Sequence, residues 1–241
     1  MNDIAHDFFQ EAKVSTLITD STNQWFPNRV DYYKNSIKIP QNTDEQKRLL
    51  SNFAYSMQYI EYLEKQISEF KLTSVLQTMV YKSYIITGMG IVELLFVFLL
   101  KNSENWNQTE WEEIATFVSN PKEVQGITTK LETKVFRKVS AYDMRMDLDS
   151  MIKKVEKRNL LSVDHNVFPV LKQLRELRNR VHLQLGENAY DHDYNCIGLE
   201  EIQKMRRILF TILTAPEICK NNSAFQFIYN IYTSVQEKRI L

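Results

Sequence analysis

Glycine and proline are scarce, with five of each in 241 residues. That is well below the usual share of about 7% and 5%, so collagen-like, low-complexity and many-turned β architectures are not expected. Cysteine is nearly absent too. Cys196 and Cys219 stand alone, outside any CxxC pair and without a His at metal-ligand spacing. Two buried, reduced thiols are expected from this, not a disulfide framework or a structural zinc site. There is no excess of charge, since 30 Lys and Arg balance 30 Asp and Glu. A chain that coats nucleic acid is excluded on that ground, and a nucleic-acid partner has to bind at a local patch. No glycine loop for phosphate, no GxSxG and no HExxH occurs. Nucleotide hydrolysis, serine hydrolysis and structural zinc are therefore not expected, and no cofactor is called for. The opening MNDIAHDFFQEAK is polar and acidic, unlike a secretion signal, so a cytoplasmic location is expected.

What is present is helix-forming and apolar. Hydrophobic residues make up 44% and charged residues 25%, enough to bury a substantial core. Residues 1–43 read as an N-terminal arm. Ile4 to Leu17 suit a short amphipathic helix, and Pro27, Asn28, Pro40 and Asn42 suit turns. Residues 44–241 read as one helical domain with its core at about 45–215. Thr43-Asp-Glu-Gln46 is a capping-box pattern. Leu50, Phe53, Met57, Ile60 and Leu63 then recur at helical spacing, which predicts a helix over about 43–71.

Thr73 and Ser74 open a second helix, reaching about Asn102. Within it, Tyr84 to Leu100 form a run of seventeen residues with one charge, Glu93. The run is short for a membrane span of about 20 residues, and a central Glu costs about 2.5 kcal/mol or more in lipid. A buried central helix is expected, with no membrane partner. Gly88 and Gly90 within it suggest close approach of another backbone. A short helix is expected at Glu110–Val118, then a small β-hairpin or extended insertion near 124–144, where Thr and Val cluster. Further helices are expected at Asp147–Arg158, 166–185, Leu199–Leu213 and Ala224–Gln236, with a polar loop at 187–197. The fold class is thus all-α, an antiparallel helical bundle with a small β insertion.

The helix over 166–185 carries the chemistry. Val167, Val170, Leu171, Leu174, Leu177 and Val181 form its core stripe. Arg175, Arg178 and His182 line up at the stripe's edge, with Asn179 slightly further round. Guanidinium groups suit phosphate, His moves a proton near neutral pH, and Asn adds a neutral donor and acceptor. Such a set suits metal-independent RNA cleavage: a base takes the 2′-OH proton, cations stabilise the phosphorane, and an acid protonates the leaving oxygen. The plainer reading is a solvated helix face, with Glu176 or Glu187 pairing the arginines. Glu93 needs a partner in its apolar helix, and Arg175 or Arg178 is the natural one. Lys153, Lys154, Lys157 and Arg158 form a basic run that suits an RNA track or simply a solvated face. Asp191-His192-Asp193 is a weak metal candidate without a partner His.

LRELRNRVH resembles the signature of the HEPN family (higher eukaryotes and prokaryotes nucleotide-binding domains), an Arg, often followed by a polar residue, then a His after four to six residues. Arg178-Asn179 matches the Arg-polar pair, but three residues separate it from His182. Arg175 matches the spacing, with six residues between, but Glu176 follows it. Gln184 stands where some active members carry Tyr. The resemblance implies a helical bundle, a homodimer with two motifs facing across a cleft, and RNA as partner. It also implies toxin–antitoxin or phage-defence ribonuclease activity, with an antitoxin or regulatory protein as a second partner. Other members only bind, so a non-catalytic RNA-binding, nucleotide-binding or protein-interaction module is the alternative.

Overall fold

The computed structural model describes residues 25–179 and 193–229. The chain is mostly helical, with a small antiparallel β element. A short helix α1 (Val30–Lys34) precedes two long ones, α2 (Asp44–Glu69) and α3 (Ser74–Asn102). Four strands follow: β1 (Gln108–Val118), β2 (Lys122–Val124), β3 (Ile127–Thr129) and β4 (Glu132–Asp143). Then come α4 (Leu148–Lys157), α5, described over Val167–Asn179, a short α6 (Asp193–Cys196) and α7 (Leu199–Leu213).

Local chemistry sets these boundaries. Thr43 caps α2: its hydroxyl accepts from the Gln46 N–H, and the Gln46 side chain accepts in return from the Thr43 N–H. Asp147 caps α4 by accepting from the Ser150 N–H at 2.7 Å. Helix α3 is apolar on all sides because it sits in the middle, packed against α2, α4, α5 and α7. It is long and apolar enough to cross a membrane, but Tyr84, Ile85, Val92, Leu95 and Phe96 are taken up by neighbouring helices.

The described part of the arm belongs to the same core. Tyr33, Ile37 and Ile39 are buried in it. The Tyr33 hydroxyl donates to Glu61 at 2.6 Å, and Ile37 bridges to Cys219. Both cysteines are half-buried and unoxidised. Gly88 faces the side chain of Met205 on α7 and not a backbone, while Gly90 faces open space.

The β element departs from expectation. Glu110–Val118 is not a helix but most of β1, which pairs antiparallel with β4. Trp111, Ile114, Thr116, Phe117 and Val118 are β-branched or aromatic, and a partner strand of the same kind lies within reach. The insertion near 124–144 is therefore the second half of a longer hairpin. Its tip is a two-residue turn, Gln125-Gly126, with φ of 53° and 75°. Both left-handed, they form the turn that matches strand twist. Among the described residues the hairpin makes no extended contact with the bundle. The polar loop expected at 187–197 includes α6 at its end. The helix expected at Ala224–Gln236 begins as a 3-10 turn, Asn222–Phe225. His182, Ile4–Leu17 and residues 230–241 lie outside the described residues.

Candidate functional site

Three helices meet around the arginine pair. Arg178, at the last described turn of α5, donates to Glu93 of α3 at 2.6 Å. This is the partner that the lone carboxylate in an apolar helix requires. Arg175, one turn earlier, lies 3.3 Å from Asp149 in the first turn of α4. Neither Glu176 nor any other acid of α5 takes these roles among the described residues.

Both arginines are partly accessible, with side chains 26% exposed for Arg175 and 34% for Arg178. The Nε of Arg175 is buried and has no partner among the described residues. Lys153 also reaches Asp149, at 2.5 Å. The bond from Lys153, together with the positive charge of Arg175, holds the Asp149 carboxyl below the usual carboxylate range. Asp149 therefore stays ionised as a brace for Arg175.

Helix α3 grips a second point near the motif. Lys82 is buried and donates to Asp193, at the start of α6, at 2.7 Å. Lys82 and Glu93 are eleven residues apart, three turns of one helix, and so share a face of α3. Arg178 precedes residues 180–192 and Asp193 follows them, so α3 holds the chain on both sides of the motif's His182. Asp193 thus has an ion-pair role, and no cluster of metal-ligating side chains occurs among the described residues.

The basic run is divided. Lys154 is tied to Asn107 at 2.5 Å and Lys153 to Asp149, while Lys157 and Arg158 are exposed. His165 lies on the surface, 3.2 Å from Glu156. Two concavities among the described residues, about 360 and 520 Å³, lie away from the arginine pair: one between α5 and α7 beside Val170 and Arg207, the other at the foot of the hairpin around Lys101 and Trp106.

Sequence reasoning missed Asp149 and Lys82. Asp149 looked like an ordinary first-turn acid. Lys82 carried a usable signal, a second charge on an apolar helix at a whole number of turns from Glu93. It also missed a buried pair deeper in the bundle. Arg206 of α7 donates twice to Glu64 of α2, at 2.8 and 2.5 Å, with both side chains almost fully enclosed. That guanidinium lies over the Tyr84 ring, 5.8 Å from its centre, and burial pushes the Tyr84 hydroxyl well above its ordinary pKa.

These features define a helical bundle with a projecting hairpin and an ion-paired arginine strip. Compared with known protein families, curated proteins and solved structures, the chain matches none.

Proposed function

We propose that the chain is a metal-independent endoribonuclease of the toxin or phage-defence type, a HEPN-like helical domain acting at a homodimer cleft. One observation carries the reading. Arg178 and Arg175 stand side by side on α5, each held by a carboxylate from a different helix and each still partly open to solvent. Braced guanidiniums lose little freedom on meeting a phosphate, which favours them as stabilisers of a charged phosphorane.

In this reading His182 removes the 2′-OH proton or protonates the leaving 5′-oxygen. Arg178 and Arg175 bind the scissile phosphate. Asn179 fixes their geometry or contacts the ribose, and Glu93 orients Arg178. Lys157 and Arg158 extend the path for the strand, and an antitoxin or other regulatory protein would hold the activity in check.

The same ion pairs favour a second reading. Glu93 and Asp149 cancel the charge of the two arginines, which weakens the pull on a polynucleotide. A non-catalytic module of the same fold, binding RNA, a nucleotide or a protein, would need no more than this.

Labelled RNA incubated with the pure chain in EDTA separates the two. The nuclease cleaves, and His182→Ala abolishes cleavage while leaving RNA binding. Glu93→Gln slows cleavage at least tenfold and lowers stability by about 1 kcal/mol, a reduced value for a partly exposed charged hydrogen bond. Absence of cleavage under any RNA, or cleavage indifferent to His182→Ala, removes the first reading.

A further inference from the structure

The hairpin of β1 and β4 is the least covered part of the described chain. Trp111, Ile114, Phe117 and Phe136 are each about half exposed or more, at 54, 54, 64 and 48%. Val118, Val124, Ile127 and Leu131 along its far half are at least half exposed as well. A two-stranded ribbon is marginal in water unless more strands or a helix pack against it. Among the described residues neither is supplied, because the ribbon has two strands and makes no extended contact with the helices. Each strand also presents an unpaired edge of backbone donors and acceptors, a template for another strand.

The charges on the ribbon say what fits that edge. Most are spent inside the hairpin: Arg137 with Glu112 at 2.6 Å, Lys134 with Glu113 at 3.0 Å and Lys138 with Glu110 at 3.1 Å. The ribbon therefore offers no basic field for a polynucleotide. Glu132 is held only loosely, with Lys134 3.9 Å away.

The sequence of β4, ETKVFRKVSAYD, is self-complementary when two copies run antiparallel about Val135. Val135 then meets Val135 of the second copy, and Glu132 meets Lys138. Phe136 lies opposite Lys134, a cation beside an aromatic face, and Leu131 lies opposite Val139. No like charges face each other. In β1, by contrast, Glu110, Glu112 and Glu113 occur with no base, so joining two β1 edges would gather only carboxylates.

We propose that the hairpin is a self-association arm, in which β4 pairs antiparallel with β4 of a second copy across a two-fold axis at Val135. The product is a four-stranded sheet in the order β1-β4-β4-β1. The closed two-fold contact uses up the β4 edges and leaves the acidic β1 edges outside, where they discourage further addition. Across its centre runs a continuous row of Ala115, Val135 and their two symmetry mates. This arrangement is independent of the ribonuclease reading and needs no RNA.

Sedimentation velocity and oxidative cross-linking of the full chain test it. The wild-type chain sediments as a dimer at micromolar concentration. Val135→Cys, made with Cys196→Ser and Cys219→Ser, forms a dimer-sized disulfide on mild oxidation, since residues opposed at such a centre lie within disulfide reach. Gln125→Cys in the same background, at the ribbon's tip, does not. Glu132→Lys places like charges opposite each other twice and raises the dimer dissociation constant by about tenfold or more. The helical circular dichroism of these variants stays at the wild-type level. A monomeric wild-type chain overturns the proposal. So does a dimer untouched by Glu132→Lys and uncross-linked at Val135→Cys, which would place the contact on another surface. Open-ended oligomers would indicate β4 pairing with the acidic β1 of the next copy and overturn the closed arrangement.

Discussion

Asp147 shows how one side chain can mark a helix boundary and a pH limit together. Its carboxylate accepts the Ser150 N–H, and that bond holds its pKa below the ordinary value. A depressed carboxylate contributes stability that is fully present above its unfolded pKa of about 3.9 and is lost as pH falls through the folded value. Asp147→Ala therefore costs about 1 kcal/mol at pH 7 in urea unfolding. The gap between variant and wild type narrows as the pH is taken below about 4. A gap that stayed constant to pH 2 would mean that the charge has no part in the cap.

The pair of Arg206 and Glu64 carries a larger stake. Burial works most strongly against the Arg206 charge, yet its two bonds to Glu64 and the attraction of that carboxylate's charge together outweigh burial, and its pKa is raised. Removing one partner strands the other in an apolar interior. Glu64→Ala should cost about 3–5 kcal/mol in chemical denaturation. Glu64→Leu combined with Arg206→Met should cost far less, because no unpaired charge remains. Equal losses in the two proteins would show that packing, not charge, sets the penalty.

Helix α3 offers a matched pair of substitutions along one element. A methyl group added at Gly90 meets nothing within 4 Å, whereas at Gly88 it would come 2.8 Å from the end of the Met205 side chain. Gly90→Ala should gain about 1 kcal/mol from helix propensity alone. Gly88→Ala should gain less or lose, because Met205 has to give way. Thermal unfolding of both proteins checks the ordering.

The long helices were legible because their apolar residues keep one period over many turns. The spacing predicts 43–71, and α2 runs Asp44–Glu69; it predicts Leu199–Leu213, and α7 has those bounds. The strand β1 was not legible. Its nearest apolar residues, Trp111, Ile114 and Phe117, recur every three residues, as on a helix, because a bulge between Glu113 and Ala115 breaks the alternation of a strand. With neither face of the hairpin against a core, no alternating pattern was imposed. At the site, the need of Glu93 for a cation could be read directly, since a carboxylate in an apolar helix has few ways to be satisfied. Asp149 could not be assigned, because nothing in a first-turn acid says which distant arginine will reach it.

Taken together, the molecule has two parts that depend on each other little. The bundle closes around α3, while the hairpin leaves it at Asn107 and returns at Met144. Those ends are joined by the Met144 N–H bonding to the Asn107 carbonyl at 2.8 Å. The Trp106 indole also donates to the Met144 carbonyl at 3.0 Å. A two-glycine link can therefore replace residues 108–143. The shortened chain should keep its helical circular dichroism and unfold within a few degrees of the full protein. A collapse of the bundle on this excision would show that the ribbon, exposed as it is, supports the helices.

The link between Glu64 and Arg206 spans 142 residues of chain. During synthesis, the second helix leaves the ribosome long before the seventh. Until the guanidinium arrives, water must stay at the acid's side, so the interior cannot dry. Sealing of the core is thus deferred until α7 has been made, and a fragment stopped short of α7 would be left open to proteolysis instead of settling into a smaller compact form.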